Sequence, residues 1–343
     1  MWLHPAILAL LGVSLASVSL VVANSRFALI VLRRWDLASG SEQQLILERR
    51  TYLVSTAIGL VLIGQILALW LFIYTTESLA PQFIGAMCAT GVLNTSPWGF
   101  LTLELKLINF FVAGLWLAID RLDTMGYDYP LIRYKYGLLL ILAPLLLAEA
   151  ISQLLFFAEL KPDVITSCCG ALFNPNTRGV AGELAGVSPL LALVWLGIVT
   201  IVTLGSGILL LRQLGQKTAH TTIWWGWGYV ILIGINFLVA IGAIVSAISL
   251  YVYQAPHHHC PFCLLKANYY YVGYGLYLSL FIGTGAGLAT MVALFSSRYA
   301  SLNNFALLLA KRWLILSLWS LFLFASLTSG LVIYSDLAVT ALF

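Results

Sequence analysis

Apolar residues run along this chain in long, almost uninterrupted blocks, separated by short polar connections. Eight such blocks stand at about 7–31, 53–76, 99–119, 136–158, 186–211, 224–251, 269–295 and 313–335. Each has about the 20 residues or more that a helix needs to cross bilayer hydrocarbon. Strands of a membrane barrel alternate in polarity over about ten residues, whereas these blocks are uniformly apolar. Hydrocarbon offers backbone groups no water, and a helix bonds all of its own. The pattern therefore predicts an all-α membrane protein with eight transmembrane helices. The block after "MWLHP" reads as the first span and not as a cleaved leader. No basic residue precedes it, and no small-residue cleavage site comes before Arg33 and Arg34.

Composition agrees with this pattern. The chain has 343 residues, 61% hydrophobic and 9% charged, against about 25% charged in soluble domains. So few charges cannot cover a water-facing surface, and the lipid bilayer is the expected partner. The net charge of +4 is distributed by topology, and no nucleic-acid partner is expected. The connections after the first, third, fifth and seventh blocks hold most of the Lys and Arg residues, among them Arg33, Arg34, Arg49, Arg121, Arg133 and Arg298. The opposite connections hold only Lys161, Arg178 and Lys266. Cytoplasmic loops carry the basic excess, so both termini are expected on the outer side of a bacterial inner (plasma) membrane.

The two halves share a layout of two helices, an outer loop with cysteine, and two more helices. Cys88 and Cys263, Arg121 and Arg298, and Lys135 and Lys311 recur at nearly one offset. A fixed period suggests duplication. An even number of helices per copy makes the copies parallel repeats. The expected organisation is a first four-helix bundle at 1–160, an outer linker at 161–185 and a second bundle at 186–343.

The five cysteines are Cys88, Cys168, Cys169, Cys260 and Cys263, and all fall in expected outer loops. Cysteines used as small core hydrophobes would scatter among the spans. The outer compartment is oxidising, so disulfides, redox thiols or soft-metal ligands all fit there. The densest stretch is "HHHCPFCLLKANYYYVGYGLY", residues 257–277. Cys260-Pro261-Phe262-Cys263 permits a short disulfide. At the N-terminus of the seventh helix its first sulfur would be favoured as thiolate, the reactive form. A structural bridge and a metal ligand pair are the competing readings. His257 and His259 share a face if the stretch is extended. With these cysteines they could hold zinc or copper. No histidine falls inside a block, so haem b between the helices is not expected. Cys168 and Cys169 are adjacent, and a bridge between neighbours is strained, so each is expected to reach a separate partner such as Cys88.

The Cys-Pro-x-Cys pair (Cys260, Pro261, Cys263) at the mouth of a membrane helix, with Cys88 and Ser96 in "CATGVLNTSPWG", resembles the vitamin K epoxide reductases and the bacterial disulfide-forming membrane oxidoreductases. That resemblance implies electron transfer from substrate thiols through a shuttle pair to the CxxC pair and on to a quinone. Those proteins hold both motifs within one four-helix core, whereas here the motifs lie in different halves of an eight-helix chain.

Two carboxylates, Glu104 and Glu149, fall inside apolar blocks, with Lys106 and Asn109 close to the first. Intramembrane charge is costly and faces a bundle interior or a wet cavity. The pair could form a proton path or bond a quinone head. Alternatively, Glu104 snorkels outward, or Lys106 pairs with a carboxylate and locks two helices together. Tyr270, Tyr274 and Tyr277 are expected on one face of the seventh helix, as an interfacial aromatic belt or as a quinone site beside the thiols. No phosphate-binding loop motif is present.

The leading expectation is thiol–disulfide exchange on the outer face, coupled to membrane quinone. Cys260 would attack, Cys263 would be its partner, and Cys88 with Cys168 or Cys169 would face a periplasmic thiol or redox protein. The alternatives are a quinone-binding anchor among other subunits of a respiratory complex, and a transport protein that captures copper, zinc or mercury.

Overall fold

Polar side chains inside an apolar helix must find partners without water, and the short ones here find them on their own helix. Ser17 donates to Val13 O at 2.8 Å, Thr75 to Leu71 O at 2.6 Å and Thr284 to Leu280 O at 2.8 Å. Such back-bonding satisfies a hydroxyl without breaking the ladder. The computed structural model describes residues 3–36, 39, 41–161, 166, 180–215, 219–255 and 258–335. Among these it is helical with no strand.

The long helices are α1 (Pro5–Arg34), α2 (Glu42–Leu79), α3 (Trp98–Asp123), α4 (Ile132–Glu159), α5 (Pro189–Gly215), α6 (Ala219–Ala243), α7 (Val272–Ser296) and α8 (Asn303–Ile333). A π turn, Ile244–Ile248, carries α6 on into Ser249–Tyr253. All eight are long and apolar enough to cross a membrane. Two run well past their apolar blocks. α2 begins at Glu42 and α8 at Asn303, because "EQQLILERR" and "NNFALLLAKR" continue the helix with polar residues that a bilayer excludes. On α2 the large residues Leu53, Leu60, Leu67 and Tyr74 are all exposed. Their seven-residue spacing makes one continuous apolar face, which water would not tolerate and lipid would.

The chain forms two compact units, neither of them one continuous stretch. The first comprises Met1–Leu79, Val92–Val164 and Ser296–Ala306, and the second Ala80–Gly91, Ile165–Phe295 and Leu307–Phe343. In the first unit α1 packs on α2 and α4, and α3 packs on the same two helices. This ring of four encloses Phe27, Ile58, Leu62, Trp116, Tyr136 and Leu139. At the α3–α4 turn, Asp123 accepts the Leu131 N–H at 2.9 Å and pairs with Lys135 at 2.8 Å.

In the second unit polar bonds tie the helices together. Thr200 on α5 donates to Asn236 on α6 at 2.9 Å. Tyr229 on α6 shares a 2.8 Å bond with Ser317 on α8, which donates to Gly283 O on α7 at 2.6 Å. Phe237 and Phe281 meet edge to face. The connections of this unit carry the sulfur chemistry.

Candidate metal centre

Two loops of the second unit build the centre. The first follows the short 3₁₀ turn Ala80–Gln82. Gly85 takes φ +86°, and a Cβ there would collide with the Thr166 carbonyl oxygen, so only glycine fits. Thr166 clips this loop at two points. Its N–H donates to Ile84 O at 3.0 Å, and its hydroxyl donates to Gly91 O at 2.9 Å. Cys88 and Thr90 sit between the clips.

The second loop leaves α6 at Gln254, which takes φ 51°. The Tyr253 hydroxyl donates to Cys260 O at 2.5 Å, and the Tyr277 hydroxyl to Pro261 O at 2.9 Å. Two helices thus grip the Cys-Pro dipeptide by its carbonyls. Cys263–Leu265 is a single 3₁₀ turn, closed by Leu265 N–H to Phe262 O at 3.0 Å and Lys266 N–H to Cys263 O at 3.1 Å. A second turn, Ala267–Tyr269, follows before α7 opens at Val272. Lys266 also bonds Met87 O, which ties the two loops to each other.

The loops bring three sulfurs together. Cys88, Cys260 and Cys263 are all buried, and their Sγ atoms lie within 4.8 Å of one another. Cys88 Sγ and Cys260 Sγ are 3.5 Å apart, and the Thr90 hydroxyl lies 3.2 Å from Cys260 Sγ. A metal–thiolate bond of about 2.3 Å puts sulfurs around one ion about 3.8–4.0 Å apart. The observed 3.5 Å separation and the 4.8 Å limit on the whole group are of that order.

Several expected placements change. The thiol pair is not at the N-terminus of a long helix: Cys263 opens a three-residue turn, and α7 starts only at Val272. The dipole argument for an activated Cys260 thiolate therefore falls. Tyr270, Tyr274 and Tyr277 do not share a helical face. Tyr270 precedes α7 in a left-handed conformation, φ 52°, and is 94% exposed. Tyr277 is spent on Pro261 O, and Tyr274 stacks obliquely on Tyr271. Tyr270 instead borders a cavity of about 660 Å³ that Tyr251, Tyr253, Tyr269 and Tyr334 also line.

His259 is buried, with Nδ1 3.0 Å from Val245 O on the π turn. It is not among the donors gathered within 4.8 Å. Cys168, Cys169 and His257 lie outside the described residues. Glu104 and Glu149 are not brought together. Glu104 is on the exposed side of α3, while Glu149 is fully buried against Lys106.

The sequence reading missed Thr90, Tyr253 and Thr166. Only Thr90 carried a signal, standing two places after Cys88. No protein-family model matches this chain, and neither a curated protein nor a solved structure matches it. Fold and site together define an integral membrane protein with eight candidate spans. Its second unit holds a buried cluster of three cysteine thiols.

Proposed function

We propose that this membrane protein binds a soft, thiophilic metal ion, copper(I) foremost, through Cys88, Cys260 and Cys263, and handles that ion at the outer face of the membrane. The observation that carries the reading is the convergence of three buried sulfurs from two loops. Thiolate ligands select copper(I) and zinc over the hard cations. Structural zinc takes four ligands, and the described cluster offers three, which suits a trigonal copper(I) centre better. The Thr90 hydroxyl beside Cys260 would act as an outer-shell donor to a ligand sulfur. The outer location rests on the excess of basic residues in the opposite connections.

A second reading, thiol–disulfide exchange, is favoured by one observation, the 3.5 Å approach of Cys88 to Cys260. Cys88 thiolate would attack Cys260 in a Cys260–Cys263 disulfide, form Cys88–Cys260 and release Cys263 as thiolate. A substrate dithiol would reduce the Cys88–Cys260 bridge and leave as its own disulfide. A membrane quinone would take two electrons and two protons from the Cys260 and Cys263 thiols to restore theirs, as the resemblance to the epoxide reductase group implies. Against it stands burial. Cys88 and Cys260 have no exposed surface, so a protein disulfide has no direct access to them.

One experiment separates the two. The purified full-length protein is reduced, loaded anaerobically with copper(I), desalted and assayed for metal. One ion per chain, with sulfur-only X-ray absorption, is expected. Loss of that ion in each of Cys88→Ser, Cys260→Ser and Cys263→Ser locates it. A protein that retains no ion, yet shows a thiol pair titrating against a redox buffer, would replace the metal reading with exchange.

A further inference from the structure

The interior of the first unit holds a polar group that the metal reading does not use. Glu149 on α4 is wholly buried and lies about 15 Å, at 1.5 Å per residue, inside the Glu159 end of the helix. That places it deep within the span. Lys106 on α3, 2% exposed, pairs with Glu149 Oε1 at 2.6 Å. Asn109 donates to Oε2 at 2.5 Å, and Gln65 on α2 donates to Oε1.

A pair that only locked helices together would leave its surroundings satisfied. These surroundings are not. Gln65 Oε1 and Asn109 Oδ1 are buried acceptors without a hydrogen-bond partner among the described residues. Lys106 makes one hydrogen bond among the described residues, to Glu149, and its ammonium lies 5.5 Å from the centroid of the Phe72 ring. Orphaned acceptors and spare donors around one carboxylate are complementary, and a small molecule that both gives and takes hydrogen bonds would satisfy both.

The deficit continues along α4. Gln153 follows Glu149 by one turn. It donates to Ser14 at 3.2 Å, and its Oε1 is also orphaned. Ser152 shares a 2.7 Å bond with Thr102. At the helix end the exposed Glu159 accepts from Ser96 at 2.5 Å and from Trp98 at 3.2 Å. Polar groups thus recur on α4 at Glu149, Ser152, Gln153 and Glu159, with the buried Phe156 and Phe157 between the last two.

We propose that Glu149 is an intramembrane proton-binding site, reached from the Glu159 end of α4 through water held on the orphaned amide oxygens. A proton from that aqueous side adds to the Glu149 carboxylate, and Lys106 keeps its charge. The cluster thereby gains one positive charge, and the reverse step releases the proton. Lys106 is the one charged group that faces Glu149 among the described residues. α2 presents Gln65, α1 presents Ser14 to the neighbouring Gln153, and Glu104 lies on the exposed side of α3. The inference is independent of the metal site.

Infrared difference spectroscopy of the full-length protein in detergent, across a pH series in water and deuterium oxide, tests it. Acidification should raise a protonated-carboxyl band that shifts in deuterium oxide, is lost in Glu149→Gln and moves in frequency in Glu149→Asp. Glu149→Asp keeps a carboxyl and so serves if Glu149→Gln does not fold. Gln153→Leu should slow hydrogen–deuterium exchange of that band by about tenfold, a barrier effect that mere structural support would not produce. A band unchanged in both Glu149 variants would overturn the site, and unchanged exchange in Gln153→Leu would overturn the path.

Discussion

Cys88 Sγ stands 3.5 Å from Cys260 Sγ, although 172 positions separate the two residues in the chain. The loop Ala80–Gly91 lies in one compact unit with both of its tethers, Thr166 and Lys266. Any chemistry at these sulfurs depends on the loop staying where Thr166 and Lys266 hold it.

Removing one sulfur should therefore cost more than any neighbouring change. Cys88→Ser keeps shape and loses the soft donor. Its copper(I) affinity should fall by more than the 10–100-fold that loss of an outer-shell partner typically brings. Competition against a chromophoric copper(I) chelator reads this directly. An affinity within error of the wild type would mean that Cys88 is not a ligand.

Thr90→Val separates packing from hydrogen bonding. The side chains are nearly the same size, but valine cannot bond Cys260 Sγ, which Thr90 approaches at 3.2 Å. Affinity should fall by about tenfold, at the low end of outer-shell effects. Thermal stability should change by no more than about 1 kcal/mol, the worth of one hydrogen bond. If affinity holds and stability drops, the hydroxyl serves the fold and not the sulfur.

The spans were legible because hydropathy and bilayer thickness set them, whatever the packing. The ends of α2 and α8 were not, because their polar extensions look like loops to a hydropathy window. The sulfur cluster was half legible. Cys260 and Cys263 advertise each other by spacing. The third member, Cys88, pairs from the chain alone with Cys168 or Cys169, which lie outside the described residues, and its approach to Cys260 appears only in the tertiary structure. The expected helical face of Tyr270, Tyr274 and Tyr277 failed at Tyr270 and Tyr271, whose left-handed backbone ends the 3₁₀ turns ahead of α7. Nothing in "NYYYVGYG" announces that conformation, which non-glycine residues rarely adopt. Glu104 could have been placed from the chain alone. Residues two apart on a helix point to nearly opposite sides, so Glu104 and Lys106 could not both face the bundle interior.

Gly273 carries a steric prediction. A Cβ there would lie 2.9 Å from both the backbone carbon and the Cβ of Leu264, within the turn that Cys263 opens. Gly273→Ala must push that turn off α7. Overpacking of this kind costs about 1–3 kcal/mol. Metal affinity should fall together with the midpoint of thermal unfolding in detergent. Gly275→Ala, whose added Cβ would meet the flexible Leu327 side chain at 3.3 Å, should be far milder. Equal effects of the two substitutions would remove the link between the turn and the site.

The Lys106–Glu149 pair makes the sharpest energetic prediction. Lys106→Met leaves a carboxylate buried at 0% exposure with only amide donors. Breaking a buried pair from one side costs about 3–5 kcal/mol, so chemical unfolding in mixed micelles should show a large loss. Adding Glu149→Leu removes the stranded charge, and replacing a buried pair with apolar residues is often neutral or stabilising by about 1–4 kcal/mol. The double variant should recover most of the lost stability while losing the acid-induced carboxyl band. That combination shows that the fold does not need the ions for stability and traces the band to the Glu149 carboxyl. If the double variant is as unstable as the single one, the pair is part of the scaffold, and its cost in lipid is repaid by helix packing.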